Sequence, residues 1–140
     1  MSVTPWNIRA LQLDLARQME TPSFMQSLTD FMQTSGYNTL VLYLEARIKT
    51  PSFPYPAPGT FYTADAMRRL VDHAGARGIT VIPALQALGH AGAFLQHSEL
   101  QHLAELRGGI RGRFGPGLGE FCPSLPAARD FIAAYFADIA

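Results

Sequence analysis

Three residues of this chain carry the side chains that chemistry needs: Arg17, Glu45 and His90. A guanidinium offers a rigid fork of donors, a carboxylate accepts hydrogen bonds or a proton, and an imidazole titrates near neutrality. Each follows closely on a stretch that reads as a β-strand, and in folds built from βα units the carboxyl ends of parallel strands are where sites are assembled. A hydrogen-bonded loop histidine with no chemical role is the competing reading of His90. A metal centre is not expected, because His97 and His102 lie on a helix-compatible segment at offsets that do not complement His90. No cofactor motif is present either. Gly115-x-Gly117-x-Gly119 fails the dinucleotide-binding spacing and follows no strand. Arg107, Arg111 and Arg113 with Phe114 could meet single-stranded nucleic acid by charge and stacking, but the patch is short and reads as an inserted mobile segment.

The elements that must position these residues are legible in hydrophobic periodicity. Over residues 8–15, Leu11, Leu13 and Leu15 alternate with Gln12 and Asp14, the period of a strand, and Arg17 lies just past its end. Asp14 reads as structural, satisfying polar groups inside the sheet or barrel. Thr21-Pro22 is a helix entry, a hydroxyl cap followed by proline, and Phe24, Leu28, Phe31 and Met32 form a stripe that Gly36 terminates. Residues 38–45 are apolar on both faces, as a covered parallel strand should be, with Val41, Tyr43 and Glu45 on one side. Residues 46–62 hold Pro51, Pro54, Pro56 and Pro58 among aromatics, which forbids a helix and predicts a stiff loop packed as a wall. Thr63 caps a second helix with the stripe Met67, Leu70, Val71 and Ala74, running to Gly78.

The third strand starts after Gly78, breaks at Leu88-Gly89 and delivers His90. Residues 91–106 are helix-compatible, with a break expected near Ser98. A last helix opens at Pro126 or Ala127 with Phe131, Ile132, Tyr135, Phe136 and Ile139 on one stripe, leaving Asp138 on the solvated side. The order β-α-β-α-β-α predicts an α/β fold with a parallel sheet. A (β/α)8 TIM-type barrel needs roughly 250 residues, so residues 1–140 are expected to hold its first three βα units, a partial barrel. Its unpaired sheet edges favour self-association.

Bulk properties narrow the class. With 48% apolar residues, 16% charged residues and zero formal net charge, the chain is neither disordered nor an electrostatic nucleic-acid binder. Its single cysteine, Cys122, allows no internal disulfide. No secretory signal and no run of spanning length is seen, so a soluble, cytoplasmic protein without a membrane partner is expected.

Four motifs in order then resemble glycoside hydrolase family 20. They are Leu13-Asp14-Leu15-Ala16-Arg17, Leu42-Tyr43-Leu44-Glu45, Tyr62-Thr63, and Ile82-Pro83-Ala84-Leu85-Gln86-Ala87-Leu88-Gly89-His90, the hexosaminidase D-like branch being most similar. The resemblance covers residues 8–140 and implies a (β/α)8 barrel that removes terminal β-linked N-acetylhexosamine from glycans. In that family the substrate's own acetamido oxygen attacks the anomeric carbon, and an adjacent Asp-Glu pair orients the acetamido group and supplies the acid. The resemblance makes Arg17 the arginine that grips sugar hydroxyls, Glu45 the acidic end of the second strand, and His90 the histidine that supports the acid. The residue after Glu45 is usually Asp and pairs with that histidine; here it is Ala46. No adjacent Asp-Glu pair occurs in the 140 residues, so none of them is expected to be the catalytic acid, and the chain alone is expected to be inactive. An inactive glycan-binding relative is the alternative, and an unrelated sugar-metabolising barrel a third reading.

Overall fold

Alternating leucines make the first strand, as the sequence predicts. β1 (Ala10–Asp14) pairs in parallel with β2 (Thr39–Tyr43), and β2 pairs in parallel with β3 (Thr80–Ala84). The last pairs in register are Asp14 with Tyr43 and Tyr43 with Ala84, so the chain leaves all three strands at the same carboxyl edge. The computed structural model describes residues 6–57, 59–106, 111–112, 115–116 and 119–140. It divides into two compact units, Met1–Leu44 with Thr63–Ala84, and Glu45–Tyr62 with Leu85–Ala140.

The first unit holds the sheet with its two crossover helices, α1 (Pro22–Thr34) and α2 (Ala64–Gly75). The hydroxyls of Thr21 and Thr63 accept the Phe24 and Ala66 amides, capping both helices where expected. Gly36, at φ 81°, ends α1. Its amide donates to Gln33 and the Tyr37 amide to Met32, the paired bonds of a Schellman turn. The buried side of α1 differs from the expected stripe. Met25, Thr29 and Met32 are buried, whereas Phe24 and Phe31 are 45% and 56% exposed. Hydrophobicity alone hides this face because Thr29 lies in it, its hydroxyl satisfied by the Gln26 carbonyl at 2.7 Å. In α2 only Leu70 and Ala74 are buried; Val71 faces out, and the helix ends at Gly75, short of Gly78.

Asn38 pins the opposite, amino edge of the sheet. Its Oδ1 accepts from the Arg9 amide at 2.8 Å and its Nδ2 donates to the Asn7 carbonyl at 2.7 Å. Its backbone carbonyl accepts from the Thr80 amide at 2.9 Å, so one residue touches the start of all three strands. β3 is an edge strand rather than a covered one, with Ile82 43% exposed and Pro83 in its middle.

The second unit is organised by aromatics. Phe53 is fully buried, and its ring lies 4.8 to 6.4 Å from those of Tyr55, Phe94, His97, Phe131 and Tyr135. Of the proline-rich segment, Phe53, Pro56 and Tyr62 are packed inward while Pro51 and Pro54 are exposed, and a parallel bridge joins Ile48 to Tyr62; Pro58 lies outside the described residues. The helix-compatible segment 91–106, with a break expected near Ser98, is two short turns on either side of that serine, α3 (Gly92–Leu95) and a 3-10 turn at Gln101–Leu103. Successive residues of an α-helix advance about 100°, so residues 94, 95, 100 and 103 would be spread around its axis. The broken path buries all four of Phe94, Leu95, Leu100 and Leu103. A two-residue ladder, β4 (Arg111–Gly112) with β5 (Gly115–Pro116), follows. Arg107, Arg113, Phe114 and Gly117 of the glycine-arginine segment lie outside the described residues.

α4 (Pro126–Ile139) closes the chain with its expected stripe packed on this cluster. Asp138 is not merely solvated: its Oδ2 accepts the Ser52 amide at 2.8 Å, and the Ser52 bonds hold its carboxyl below the usual carboxylate range. No described helix is long and apolar enough to cross a membrane.

Candidate functional site

Arg17 stands three residues past β1 in the first unit, on a turn that Asp14 builds. Asp14 Oδ1 accepts the Ala16 and Arg17 amides at 3.0 and 3.2 Å, an Asx-type turn. Its Oδ2 lies 3.5 Å from Arg17 Nη1. The guanidinium carbon sits 5.1 Å from the centroid of the Tyr43 ring, within cation–π range. The side chain is 55% exposed, so this setting holds the fork in water-accessible space rather than burying it. Asp14 is structural, but what it satisfies is the turn that carries the arginine, not polar groups inside the sheet. Tyr43 is a supporting residue that motif reading missed; its signal was the shared face of Val41, Tyr43 and Glu45.

Glu45 and His90 both belong to the second unit. Among the described residues they are the two non-glycine positions with left-handed backbone, φ 44° at Glu45 and 54° at His90. Such a conformation costs about 1–3 kcal/mol and persists only where the surroundings over-determine it. At Glu45 the backbone carbonyl receives a hydrogen bond from α4. The Tyr135 hydroxyl donates to the Glu45 carbonyl at 3.1 Å and lies 3.4 Å from that of Ile48. Tyr135 is 2% exposed, and burial pushes its phenol well above the usual range.

His90 is six residues past the end of β3, not immediately beyond it, because the sheet pairing stops at Ala84 while the apolar run continues. The loop is clasped on both sides of the histidine. The Phe121 amide donates to the Leu88 carbonyl at 2.9 Å, and the Ala91 amide to the Gly119 carbonyl at 2.7 Å. The residues that follow the two candidates, Ala46 and Ala91, are buried in the same apolar cluster. A methyl thus lies in a hydrophobic setting where a carboxylate was expected to orient the histidine. Between β3 and His90, Gln86 keeps a buried Oε1 with no hydrogen-bond partner among the described residues. No group of three or more His, Cys, Asp or Glu side chains placed to hold a metal ion occurs among the described residues.

Comparison with protein families matches residues 6–140 to "Glycosyl hydrolase family 20, catalytic domain". The chain belongs to glycosyl hydrolase family 20. The family 20 chain is 27% identical over 109 residues to human hexosaminidase D, covering 74% of itself and 21% of that protein. It is 27% identical over 148 residues to a β-N-acetylhexosaminidase of Cellulomonas fimi, covering 94% of itself and 30% of that protein. It therefore spans well under two-thirds of the length of these curated relatives. Among solved structures it is similar to the family 20 exo-β-N-acetylglucosaminidase of Vibrio harveyi in complex with N-acetylglucosamine. There the TM-score is 0.79 and the identity 22%, covering 96% of this chain and 25% of that one. That likeness establishes the fold: α/β with a parallel sheet.

Proposed function

We propose that the chain supplies the first three βα units of a family 20 (β/α)8 barrel and helps to position a terminal β-linked N-acetylhexosamine. The observation that carries this reading is the family match over residues 6–140, joined to a parallel sheet whose strands all end at one edge. The Arg17 fork would donate to sugar hydroxyls, which a planar, permanently charged group does with two bonds at once. Glu45 would accept a hydroxyl proton in a hydrogen bond. His90 would stand behind the acid of the complete protein and bias its protonation. In that protein the acetamido oxygen of the substrate attacks the anomeric carbon, so no enzymic nucleophile is required. The acid and the group that orients the acetamide would come from an Asp-Glu pair, which the 140 residues do not contain.

The test is a titration of the purified chain with N-acetylglucosamine, followed by NMR, together with an assay on a chromogenic N-acetylglucosaminide. Shifts at one or more of Arg17, Glu45 and His90, with no chromophore released, are expected. Turnover by this chain, or no shift at any sugar concentration, would overturn the reading. A second reading, a glycan-binding relative without catalysis, draws on Ala46, which is only 8% exposed in an apolar cluster. A thiazoline mimic of the cyclised intermediate separates the two in the complete protein. Catalysis requires it to bind far more tightly than N-acetylglucosamine, whereas simple binding predicts parity.

A further inference from the structure

We infer that Tyr135 is a positioning residue for Glu45: its buried hydroxyl, reaching the Glu45 carbonyl from α4, holds the left-handed turn on which the carboxylate is presented. The inference rests on the proposed role of Glu45 and extends it to a residue ninety positions away in sequence, on a helix that no strand-end motif includes. The observations are independent of one another. Glu45 has φ 44°, a conformation that a side chain with a Cβ adopts against its intrinsic preference. Tyr135 donates at 3.1 Å to the carbonyl of that same residue, with the Ile48 carbonyl at 3.4 Å, so a single phenolic proton faces two acceptors of one turn. The ring itself cannot drift. It is 2% exposed, with the Phe94 ring 5.1 Å and the Phe53 ring 5.9 Å away, both edge-on. A rigid ring held by these two neighbours therefore places its one polar atom against the strained peptide. A phenylalanine would fill the same space, and packing alone gives no reason for the hydroxyl.

Tyr135→Phe separates the two roles because it keeps the ring and deletes the bond. The expected spectroscopic result is a change in the Glu45 Cα and Cβ chemical shifts away from the left-handed signature, with the aromatic cluster's methyl and ring signals retained. Affinity for N-acetylglucosamine should fall about fivefold, the equivalent of one lost hydrogen bond. In a Glu45→Ala background the same substitution should change affinity no further, since the effect passes through the carboxylate. Unchanged Glu45 shifts in Tyr135→Phe, or an equal loss of affinity in the Glu45→Ala background, would overturn the inference. The failure of the functional reading looks different: Glu45→Ala itself would leave affinity intact while Tyr135→Phe still moved the Glu45 shifts.

Discussion

Arg17 owes its setting to two neighbours, a carboxylate that bends the chain beneath it and a tyrosine ring beside it. If the guanidinium grips sugar hydroxyls, Arg17→Ala should weaken N-acetylglucosamine binding tenfold or more, as loss of hydrogen bonds to a charged group of about 1.5–3 kcal/mol requires. Arg17→Lys should recover only part of this, because a point charge lacks the fork; full recovery in the titration would show that charge alone suffices. Arg17, Glu45 and His90 were legible as candidates because strand ends can be read from alternation and from family motifs. Their supports were not. Asp138 looked like one more solvated helix residue, and only the folded chain shows it accepting the Ser52 amide. Tyr135 looked like one more aromatic on a stripe, since periodicity reports which face is apolar and not which carbonyl a hydroxyl meets.

Among elements, α1 and α2 are joined by a polar tie as well as by packing. Asp30 Oδ1 accepts from His73 Nε2 at 2.9 Å and from Arg77 Nε. The His73 bond, with Arg77 adding to it, holds the Asp30 carboxyl below its usual range. A depressed folded value means the tie stabilises above the unfolded-chain value of about 3.9 and fades as pH falls through the folded one. Wild type and Asp30→Asn should therefore differ in urea midpoint near neutrality and converge in acid; a constant gap across pH would refute the sign. Asn38→Ala should cost about 2 kcal/mol in the same measurement, through the side-chain bonds at the amino edge of the sheet. Three strands, two capped helices and the closing helix were readable because caps, glycine stops and alternation are local signals. The break near Ser98 was readable too, but not how short the turns on either side of it are, because a lone segment gives no sign that four apolar side chains must all turn toward one cluster.

At the scale of the whole molecule, β1 and β3 are the edges of the described three-stranded sheet, and they are unequal. Thr80 donates inward to Asn38, and ladder donors alternate in direction along a strand, so the nitrogen of Pro83 faces outward, where it has no proton to give. Pro83→Thr should restore that donor and raise self-association, seen as a larger sedimenting species; an unchanged profile would mean the β3 edge is shielded by something other than proline. The connectivity carries a separate consequence. The chain enters the second unit at Glu45, returns to the first at Thr63 and leaves it again at Leu85. A protease nick near Tyr55 would leave each fragment owning part of both units, the front one with β1, β2 and Phe53, the rear one with β3 and the helix that carries Tyr135. Neither half could finish a unit without the other, and two separately expressed halves would behave as a split pair that reassembles on mixing.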